Sequence, residues 1–461
     1  MNELRERRFL VVGLAESGRA AVRVLRDLGA VVRVTEARPA TEIAEAVSQA
    51  EAAGAEVLAG EHAPEHLDGA DVVITSPGVP EGADVLRWAS QKRVPIWSEL
   101  ELGARLATTP YIAVTGTNGK TTTTQMIAAI LRADGRDAVA CGNVGLPFST
   151  AAVEDHDVLV VEASSFQLRF HESFRPKISV LLNLAPDHLD WHGSFSAYRD
   201  AKARVFALQQ KDDTHVGNRD DVHAAPVSRR APCRVVWFTL GDPQAGEAGY
   251  VGEELVLRLD GEEVVGRPNA ETDTMRSDAA AAAAAAVSFG TDPASAGAAL
   301  SGFEALPHRG TVVAEVAGVR FIDDSKATNP HAALAALSGL TDAVLVAGGR
   351  SKGVDLSPLA AATASLRGVV AMGEAAAELV SLFQADVPVR TVSTIEAAVE
   401  EGFRMARPEG IVLLAPACAS QDMFRDYQER GERFSAAARA LVTRAGAESP
   451  RGSEGRRAAR G

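Results

Sequence analysis

The residues Gly116-Thr117-Asn118-Gly119-Lys120-Thr121-Thr122 have the types and spacing that bind a nucleotide phosphate. An apolar run, Tyr111–Thr115, precedes them, and a helical pattern, Thr123–Leu131, follows, so the sequence predicts a strand, a glycine-rich turn and a helix. In such a turn the glycines let backbone N–H groups approach the phosphate, and the helix N-terminus adds a positive dipole end. The lysine offsets phosphate charge, and the threonine hydroxyl suits a magnesium ion. Val114 stands where the eight-residue P-loop has its first glycine, so this is a shorter form.

Three further positions in the same stretch suit metal or phosphate chemistry. Glu162 ends an apolar strand predicted over 157–162, where a nucleotide-bound magnesium needs an oxygen ligand. A carboxylate capping a neighbouring helix is the structural alternative. Asp187, His188 and Asp190 follow the next strand as a polar cluster, in which His188 is a candidate ligand. By pattern alone, Lys202 is a helix lysine on a solvated face.

A second glycine turn, Gly13-x-Ala15-x-x-Gly18, lies between a strand from Phe9 and a helix that ends near Leu28. Glu36 closes the following strand at about the spacing of a ribose-binding acid. A dinucleotide site is one interpretation. Alanine in place of the central glycine fits a looser diphosphate site equally well.

Polar loops follow three strands of the last third of the chain, at Asp323–Pro330, Gly348–Lys352 and Pro416–Phe424. Carboxyl ends of neighbouring strands in an open α/β sheet meet at one edge, so these loops are expected to border one crevice. Cys418 lies in the third loop. No histidine is close in sequence, and we interpret this cysteine as structural.

Strands that alternate with helices predict an α/β fold with parallel sheets covered on both faces. The pattern restarts twice, which predicts three domains: a Rossmann-like domain over 1–107, a central P-loop-type ATPase domain with a mostly parallel sheet over 108–306, and a Rossmann-like α/β domain over 307–446. The Ala279–Val287 run is expected to be helical. Residues 447–461 are expected to form a disordered tail, because they lack an apolar period.

Composition excludes several classes of protein. With 46% apolar and 23% charged residues among 461, the chain resembles a globular protein. No apolar run approaches the ~20 residues of a membrane helix. A net charge of −14 argues against general nucleic-acid binding. Three widely spaced cysteines suit a reducing cytosol.

Together the strings Gly116–Thr121, Glu162–Gln167 and Pro186–Asp190 resemble the markers of the Mur ligase family. Asp324–Asn329 and Ala417–Phe424 are similar to strings of its D-glutamate-adding branch. The resemblance covers residues 9 to 440 approximately, with the strings in the same order. It implies a cytoplasmic, monomeric enzyme of peptidoglycan precursor synthesis, with no nucleic-acid or membrane partner.

The reaction that the resemblance implies joins D-glutamate to UDP-N-acetylmuramoyl-L-alanine at the expense of ATP. Phosphoryl transfer from ATP to the alanyl carboxylate gives an acyl phosphate, the amine of D-glutamate attacks, and phosphate leaves. Negative charge gathers around the transferred group, so catalysis rests on positioning and on cations.

Residue roles follow from the matching strings. The ATP site is implied at Gly116, Thr117, Asn118, Gly119, Lys120, Thr121, Thr122, Arg309, Asp324 and Lys326. Two magnesium ions are implied at Thr121, Glu162, His188 and Lys202, with Lys202 carbamylated, and Lys120, Glu162, His188 and Lys202 are the implied catalytic set. The UDP substrate is implied at Glu16, Ser17, Glu36, Ala37, Arg38, Ser76, Asn143 and Ser164, and D-glutamate at Thr328, Lys352, Ser420 and Tyr427.

One stretch departs from the family pattern. Asparagines that read adenine in a Gly-x-His-Asn-x-x-Asn string are replaced here by Met275 and Asp278. Other interpretations are a ligase for another amino acid, a folate polyglutamate synthetase, a nicotinamide-dependent dehydrogenase that uses Gly13–Gly18, and a non-catalytic nucleotide-binding regulator. The dehydrogenase leaves the phosphate loop unexplained, and a regulator has no need of Glu162, His188 and Lys202.

Overall fold

The computed structural model describes residues 4–448 of the chain. They form two compact units. One unit contains the chain up to Pro186 and Trp191–Glu304, and the other contains Asp187–Asp190 and the chain from Ala305 onward.

A five-stranded parallel sheet opens the first unit, in the order β3-β2-β1-β4-β5. Its strands are β1 (Arg8–Val12), β2 (Val31–Glu36), β3 (Glu56–Ala59), β4 (Val72–Thr75) and β5 (Ile96–Ser98). Its helices are α1 (Glu16–Asp27), α2 (Ala44–Ala52), α3 (Asp84–Gln91) and α4 (Glu99–Leu106). The chain adds β2 and β3 on one side of β1, and β4 and β5 on the other. The connections after β1 and β4 therefore leave in opposite directions, and a crevice opens at the carboxyl ends of these two strands.

A nine-stranded sheet follows in the same unit, in the order β14-β13-β12-β11-β10-β9-β6-β8-β7. Only its β12–β14 end is antiparallel. Its strands are β6 (Tyr111–Thr115), β7 (Ala138–Gly142), β8 (Val158–Glu162), β9 (Ile178–Leu181), β10 (Thr214–Asn218), β11 (Arg234–Phe238), β12 (Glu247–Val251), β13 (Glu254–Arg258) and β14 (Glu263–Gly266). Its helices are α5 (Lys120–Ala133), α6 (Phe148–Ala151), α7 (Ser165–Arg169), α8 (Leu189–His192), α9 (Phe195–Ala203), α10 (Ala224–Ser228), α11 (Asp273–Ser288) and α12 (Pro293–Ser301), with α8 crossing the boundary between the units.

The second unit is built on a six-stranded sheet in the order β15-β16-β20-β17-β18-β19, in which β15 alone is antiparallel to its neighbour. Its strands are β15 (Thr311–Val316), β16 (Val319–Asp323), β17 (Ala343–Gly348), β18 (Leu366–Met372), β19 (Val389–Thr391) and β20 (Gly410–Leu414). Its helices are α13 (Pro330–Leu337), α14 (Ala376–Phe383), α15 (Ile395–Ala406) and α16 (Tyr427–Glu448).

The α/β class with three mostly parallel sheets is confirmed, and the predicted strand–turn–helix at the phosphate loop is present. The helix after that loop begins at Lys120, three residues before the predicted start, because the lysine belongs to its first turn. The tail prediction is wrong at its first two residues, since α16 continues through Ala447 to Glu448. Residues 449–461 lie outside the described part.

The alanine-rich run is part of the core beside the nine-stranded sheet. Helix α11 packs against α5, and Ala279–Ala286 are all fully buried. Small side chains let the two helix backbones approach closely, which brings the start of α11 next to the phosphate loop. Within residues 4–448, no helix is both long enough and apolar enough to span a membrane.

A buried carboxyl joins the first two domains. Glu99, in the first turn of α4, is 1% exposed, and its Oε1 accepts a hydrogen bond from the Ser149 amide at 2.6 Å. Its Oε2 and the Ser149 hydroxyl have no hydrogen-bond partner among the described residues. Burial raises the pKa of Glu99, although the hydrogen bond from the Ser149 amide acts in the opposite direction.

Replacement of this carboxyl by an amide is expected to stabilise the first unit. Glu99→Gln keeps the acceptor for Ser149 and removes an acid whose ionisation the folded state disfavours. Because the pKa of this acid is raised in the folded state, the unaltered protein loses stability as pH rises. The variant has no such acid, so its gain in unfolding temperature should be larger at pH 8 than at pH 5. Thermal unfolding at both pH values measures it. A gain that is equal at both, or absent at pH 8, would contradict this account, and Glu65→Gln at an exposed carboxyl is the control.

Candidate active site

The phosphate loop is held in a tight turn by the segment after β9. Gly116 and Gly119 have φ of 157° and 83°, and a Cβ on Gly116 would lie 2.9 Å from the Leu182 side chain. The Thr117 amide donates to the Asn183 carbonyl at 3.0 Å, and the Asn118 amide donates to the Asn183 side chain at 2.8 Å. The loop therefore has one fixed shape, with its amides at the start of α5.

Two lysines converge on this loop. Lys120 Nζ donates to the carbonyl oxygens of Gly116 at 3.0 Å and Thr117 at 2.8 Å, and Lys202 Nζ donates to the same Gly116 oxygen at 2.7 Å. Lys202 is only 2% exposed, so its interpretation as a lysine on a solvated face is wrong. The Tyr198 ring lies 4.8 Å from the Lys202 ammonium, and its hydroxyl donates to Thr117 Oγ1 at 3.1 Å.

A carboxylate lies at the end of the strand next to the loop. Glu162 ends β8, which pairs with β6, and it is 2% exposed. Its Oε1 accepts a hydrogen bond from the Asn143 side chain at 2.9 Å. Its Oε2 is buried without a hydrogen-bond partner in the described part of the chain. An unpaired buried carboxylate oxygen is costly, so this atom is positioned to bind a ligand.

The predicted UDP-site acid uses both of its oxygens within the first domain. Glu36 Oε2 accepts from the Leu14 amide at 2.8 Å, and the Arg38 guanidinium binds both oxygens at 3.2 and 2.9 Å. Burial alone would raise the pKa of Glu36, but the bonds from Arg38 and Leu14 outweigh it and lower the pKa to about 2. The carboxylate therefore shapes the glycine turn and orients Arg38, which is exposed together with Ala37.

A hydrogen bond joins the loops after β1 and β4, which border the crevice of the five-stranded sheet. Ser76, in the loop after β4, donates its hydroxyl to the Gly13 carbonyl at 3.1 Å. A Cβ on Gly18 would collide with the same carbonyl, which requires glycine there. Glu16 and Ser17 begin α1 at this edge. Ser164 instead caps α7, since it and Gln167 exchange hydrogen bonds.

In the second unit the three predicted polar loops do meet at one edge. They follow β16, β20 and β17, which are adjacent strands. Arg430 ties two of the loops together, donating to the Ser325 hydroxyl at 3.0 Å, the Ser325 carbonyl at 2.8 Å and the Cys418 carbonyl at 3.2 Å. This guanidinium is 1% exposed, and burial lowers its pKa to about 10. Cys418 is fully buried, as predicted, and burial raises its pKa to about 12.

The loop after β16 carries a cluster of charges. His308 Nδ1 and Asp323 Oδ2 are 2.7 Å apart, and Lys326 lies 3.8 Å from the centre of the Tyr427 ring. Burial raises the pKa of Asp324 to about 7; Arg309 lowers this pKa and Asp323 raises it, and burial prevails. Asp324 therefore exchanges its proton near neutral pH.

The remaining predicted D-glutamate residues lie in the same unit. Lys352 has a φ of 59° and its ammonium forms an ion pair with Asp187, which also accepts from the Asn329 side chain at 3.2 Å. Ser420 is 1% exposed, and its hydroxyl has no hydrogen-bond partner within the described residues. Thr328 donates its amide to the Lys326 carbonyl at 2.8 Å.

His188 also belongs to this unit, where it has a φ of 53° and lies next to Asp187. Between Leu4 and Glu448, no three His, Cys, Asp or Glu side chains form a group that could hold a metal ion.

Sequence reasoning missed three residues that shape these sites. Asn183 fixes the phosphate loop, Tyr198 holds Thr117 and faces Lys202, and Arg430 joins two loops of the second unit. Tyr198 stands one helical turn before Lys202, which was a usable signal. Arg430 had none, because on sequence it resembles any exposed arginine of a helix.

Models of three protein domains match the chain. These are the Mur ligase MurD-like N-terminal domain over residues 7–98, the Mur ligase middle domain over 114–286 and the Mur ligase glutamate ligase domain over 308–418. The UDP-N-acetylmuramoylalanine--D-glutamate ligase of Frankia casuarinae is 42% identical, covering 94% of this chain and 93% of that protein. The chain belongs to the Mur ligase family. The protein of the same name from Geobacter metallireducens is 38% identical over 96% of this chain and 99% of its own length.

Solved Mur ligases have the same fold. MurF of Thermotoga maritima in complex with ADP superposes with a TM-score of 0.60 at 17% identity, covering 96% of this chain and 100% of that one. UDP-N-acetylmuramate-alanine ligase MurC of the same organism gives 0.58 at 19% identity, with 94% and 99% covered.

A pH-dependent stability is expected from Asp324. Its pKa of about 7 in the folded chain lies well above the usual value of an aspartate. As pH rises from 4 to 7 the unfolded state ionises first, so the folded state loses stability, by a few kcal/mol at most. Asp324→Asn should therefore raise the unfolding temperature of the second unit at pH 8 and have little effect at pH 4. Calorimetry at both values measures this. An equal effect at both would contradict the raised pKa, and Asp386→Asn, an exposed site, is the control.

Proposed function

We propose that the chain is an ATP-dependent ligase that adds D-glutamate to UDP-N-acetylmuramoyl-L-alanine. The phosphate loop carries the proposal, because Lys120 and Lys202 meet at the Gly116 carbonyl and Glu162 has an open oxygen at the end of the adjacent strand. The relatives that bear this enzyme's name are 36–42% identical over nearly the whole chain, which supports the same substrates. We place the activity in the cytoplasm, in a monomer that has no nucleic-acid or membrane partner.

Phosphoryl transfer to the alanyl carboxylate is assigned to the phosphate loop. The amides at the start of α5 would bind the β- and γ-phosphates, as helix N-termini after glycine turns do, while the Thr117 and Asn118 amides hold the turn through Asn183. Lys120 would leave its loop carbonyls to offset the charge that develops on the transferred group. Thr117, Asn118 and Thr122 complete the cradle.

Magnesium fits the donors near this loop. Glu162 Oε2 is a hard oxygen with no hydrogen-bond partner among the described residues, and the Thr121 hydroxyl lies at the start of α5. Both suit a Mg²⁺ ion that would also be bound by oxygens of the nucleotide phosphates. When bound, the metal would neutralise negative charge on the phosphate oxygens. We assign a second magnesium to His188 and Lys202.

Carbamylation of Lys202 has a physical reason. Two ammonium groups that donate to one buried carbonyl oxygen repel each other, and little water screens them. Loss of one proton from the Lys202 ammonium gives the neutral amine, and addition of CO₂ with loss of a second proton gives a carbamate anion in place of the cation. The repulsion of Lys120 then becomes attraction, and two new oxygens become available to a metal.

The second unit is assigned the amine substrate and part of the nucleotide. The Ser420 hydroxyl is buried and has no hydrogen-bond partner among the described residues, so it can bind a substrate oxygen. The Lys352 ammonium can pair with a carboxylate of D-glutamate. Thr328 and Tyr427 complete that pocket, and Arg309, Asp324 and Lys326 are assigned to the nucleotide. The uridine diphosphate is assigned to the first crevice, at Glu16, Ser17, Ala37, Arg38 and Ser76, with Glu36 holding Arg38 and with Asn143 and Ser164 nearer the acyl end.

ATP hydrolysis is expected to depend on both co-substrates. Phosphate release should occur only when UDP-N-acetylmuramoyl-L-alanine and D-glutamate are both present, because the first supplies the carboxylate that is phosphorylated and the amine of the second displaces the phosphate. Turnover with L-glutamate or meso-diaminopimelate at the same rate would overturn the assignment. Lys120→Ala, expected to be about a hundredfold slower or worse, controls for contaminating ATPases.

Loss of the Lys202 side chain is expected to abolish most of the activity in a way that small carboxylates reverse. Lys202→Ala should lower kcat about a hundredfold, and bicarbonate or acetate should partly restore it by entering the vacated space. Labelling with ¹³C-bicarbonate should give a carbamate signal in the unaltered chain and in the control variant, but not in Lys202→Ala. Lys211→Ala, at an exposed lysine, is the matched control. Full activity of Lys202→Ala, or the absence of a carbamate signal, would contradict the proposal.

A further inference from the structure

A carboxylate lies against the phosphate loop from the side of helix α11. Asp278 is 4% exposed, and a Cβ atom on Gly119 would collide with its Oδ1 and lie 3.1 Å from its Oδ2. Both carboxylate oxygens therefore approach the turn residue that directly precedes Lys120. Gly119 has a φ of 83°, so both its backbone conformation and the neighbouring carboxylate require glycine at this position.

Local helix stability does not account for this aspartate. Asp278 is the sixth residue of α11, beyond the first turn, where an acid would benefit from the helix dipole. Thr272 already caps the helix by accepting from the Met275 amide at 3.2 Å. Aspartate is also a poor residue for a helix interior, and it is seldom fully buried. The position of Asp278 against the loop is therefore not a consequence of helix capping.

The carboxylate changes the charge around the proposed phosphate site. Lys120 and Lys202 bring positive charge to the loop, and Glu162 brings negative charge at the adjacent strand end. Asp278 adds a second carboxylate on another side. A phosphate chain placed on this turn is repelled by Asp278 unless a cation reduces its charge.

We propose that Asp278 makes the phosphate loop selective for metal-bound nucleotide. Metal-free nucleotide carries two more negative charges than its Mg²⁺ complex, so the same carboxylate opposes it more strongly. The loop then excludes nucleotide that lacks the metal needed for phosphoryl transfer. This inference rests on the proposed nucleotide site, and it concerns a position where the family pattern has an uncharged asparagine.

Binding of ADP, measured by calorimetry with Mg²⁺ and with EDTA at one ionic strength, tests the inference without turnover. Asp278→Asn keeps the shape of the side chain and removes its charge. The variant should increase the affinity for metal-free ADP about five- to fiftyfold more than the affinity for Mg-ADP, as expected for one partly screened charge near a phosphate chain. Asp278→Ser is a second neutral variant, which keeps the test possible if the first variant does not fold.

Asp273→Asn is the matched control, since it removes the same charge from an exposed position of the same helix. It should leave the ratio of the two affinities unchanged. The inference is overturned if the Asp278 variants change both affinities equally, or leave the ratio within twofold of its original value. If the unaltered chain binds no ADP under either condition, the proposed nucleotide site itself is wrong, and the inference fails with it.

Discussion

The geometry of the central domain depends on one crowded turn. Gly116 follows β6, and Leu182 lies so close to it that no side chain would fit there. The Gly116 carbonyl oxygen accepts hydrogen bonds from two lysines. Asn183 then fixes Thr117 and Asn118 from the segment after β9. Because a backbone carbonyl has two lone pairs, one peptide unit holds both cations where a phosphate would bring its charge.

Parallel strands explain why distant residues share these sites. In each sheet the carboxyl ends of neighbouring strands lie at one edge, so the loops that follow them meet whatever their separation in sequence. Thus Glu162, at the end of β8, lies beside the phosphate loop after β6. In the second unit the same rule brings together the loops after β16, β17 and β20, and Arg430 then joins two of them through Ser325 and Cys418.

Charge is distributed unevenly around the phosphate loop, and this gives the site its chemical character. The ammonium groups of half-buried Lys120 and buried Lys202 share one oxygen, and a carbamate on Lys202 would relieve their repulsion. Glu162 and Asp278 add carboxylates on separate sides of the loop, where a metal-bound nucleotide is tolerated better than a free one. The proposed modification and the proposed metal selectivity thus answer the same requirement, a balance of charge around a phosphate group in a site with little water.

By itself the sequence determined the α/β class, the phosphate turn and the polar strand ends. Each of these is a local pattern: a buried apolar strand, a glycine where φ must be positive, or a polar loop after a strand. Tertiary structure alone decided the burial of Lys202, the hydrogen bond between Glu36 and the Leu14 amide, the role of Arg430 and the approach of Asp278 to Gly119. A side chain's environment depends on elements far away in sequence, and a helix lysine or arginine has the same local pattern whether it faces water or another chain segment.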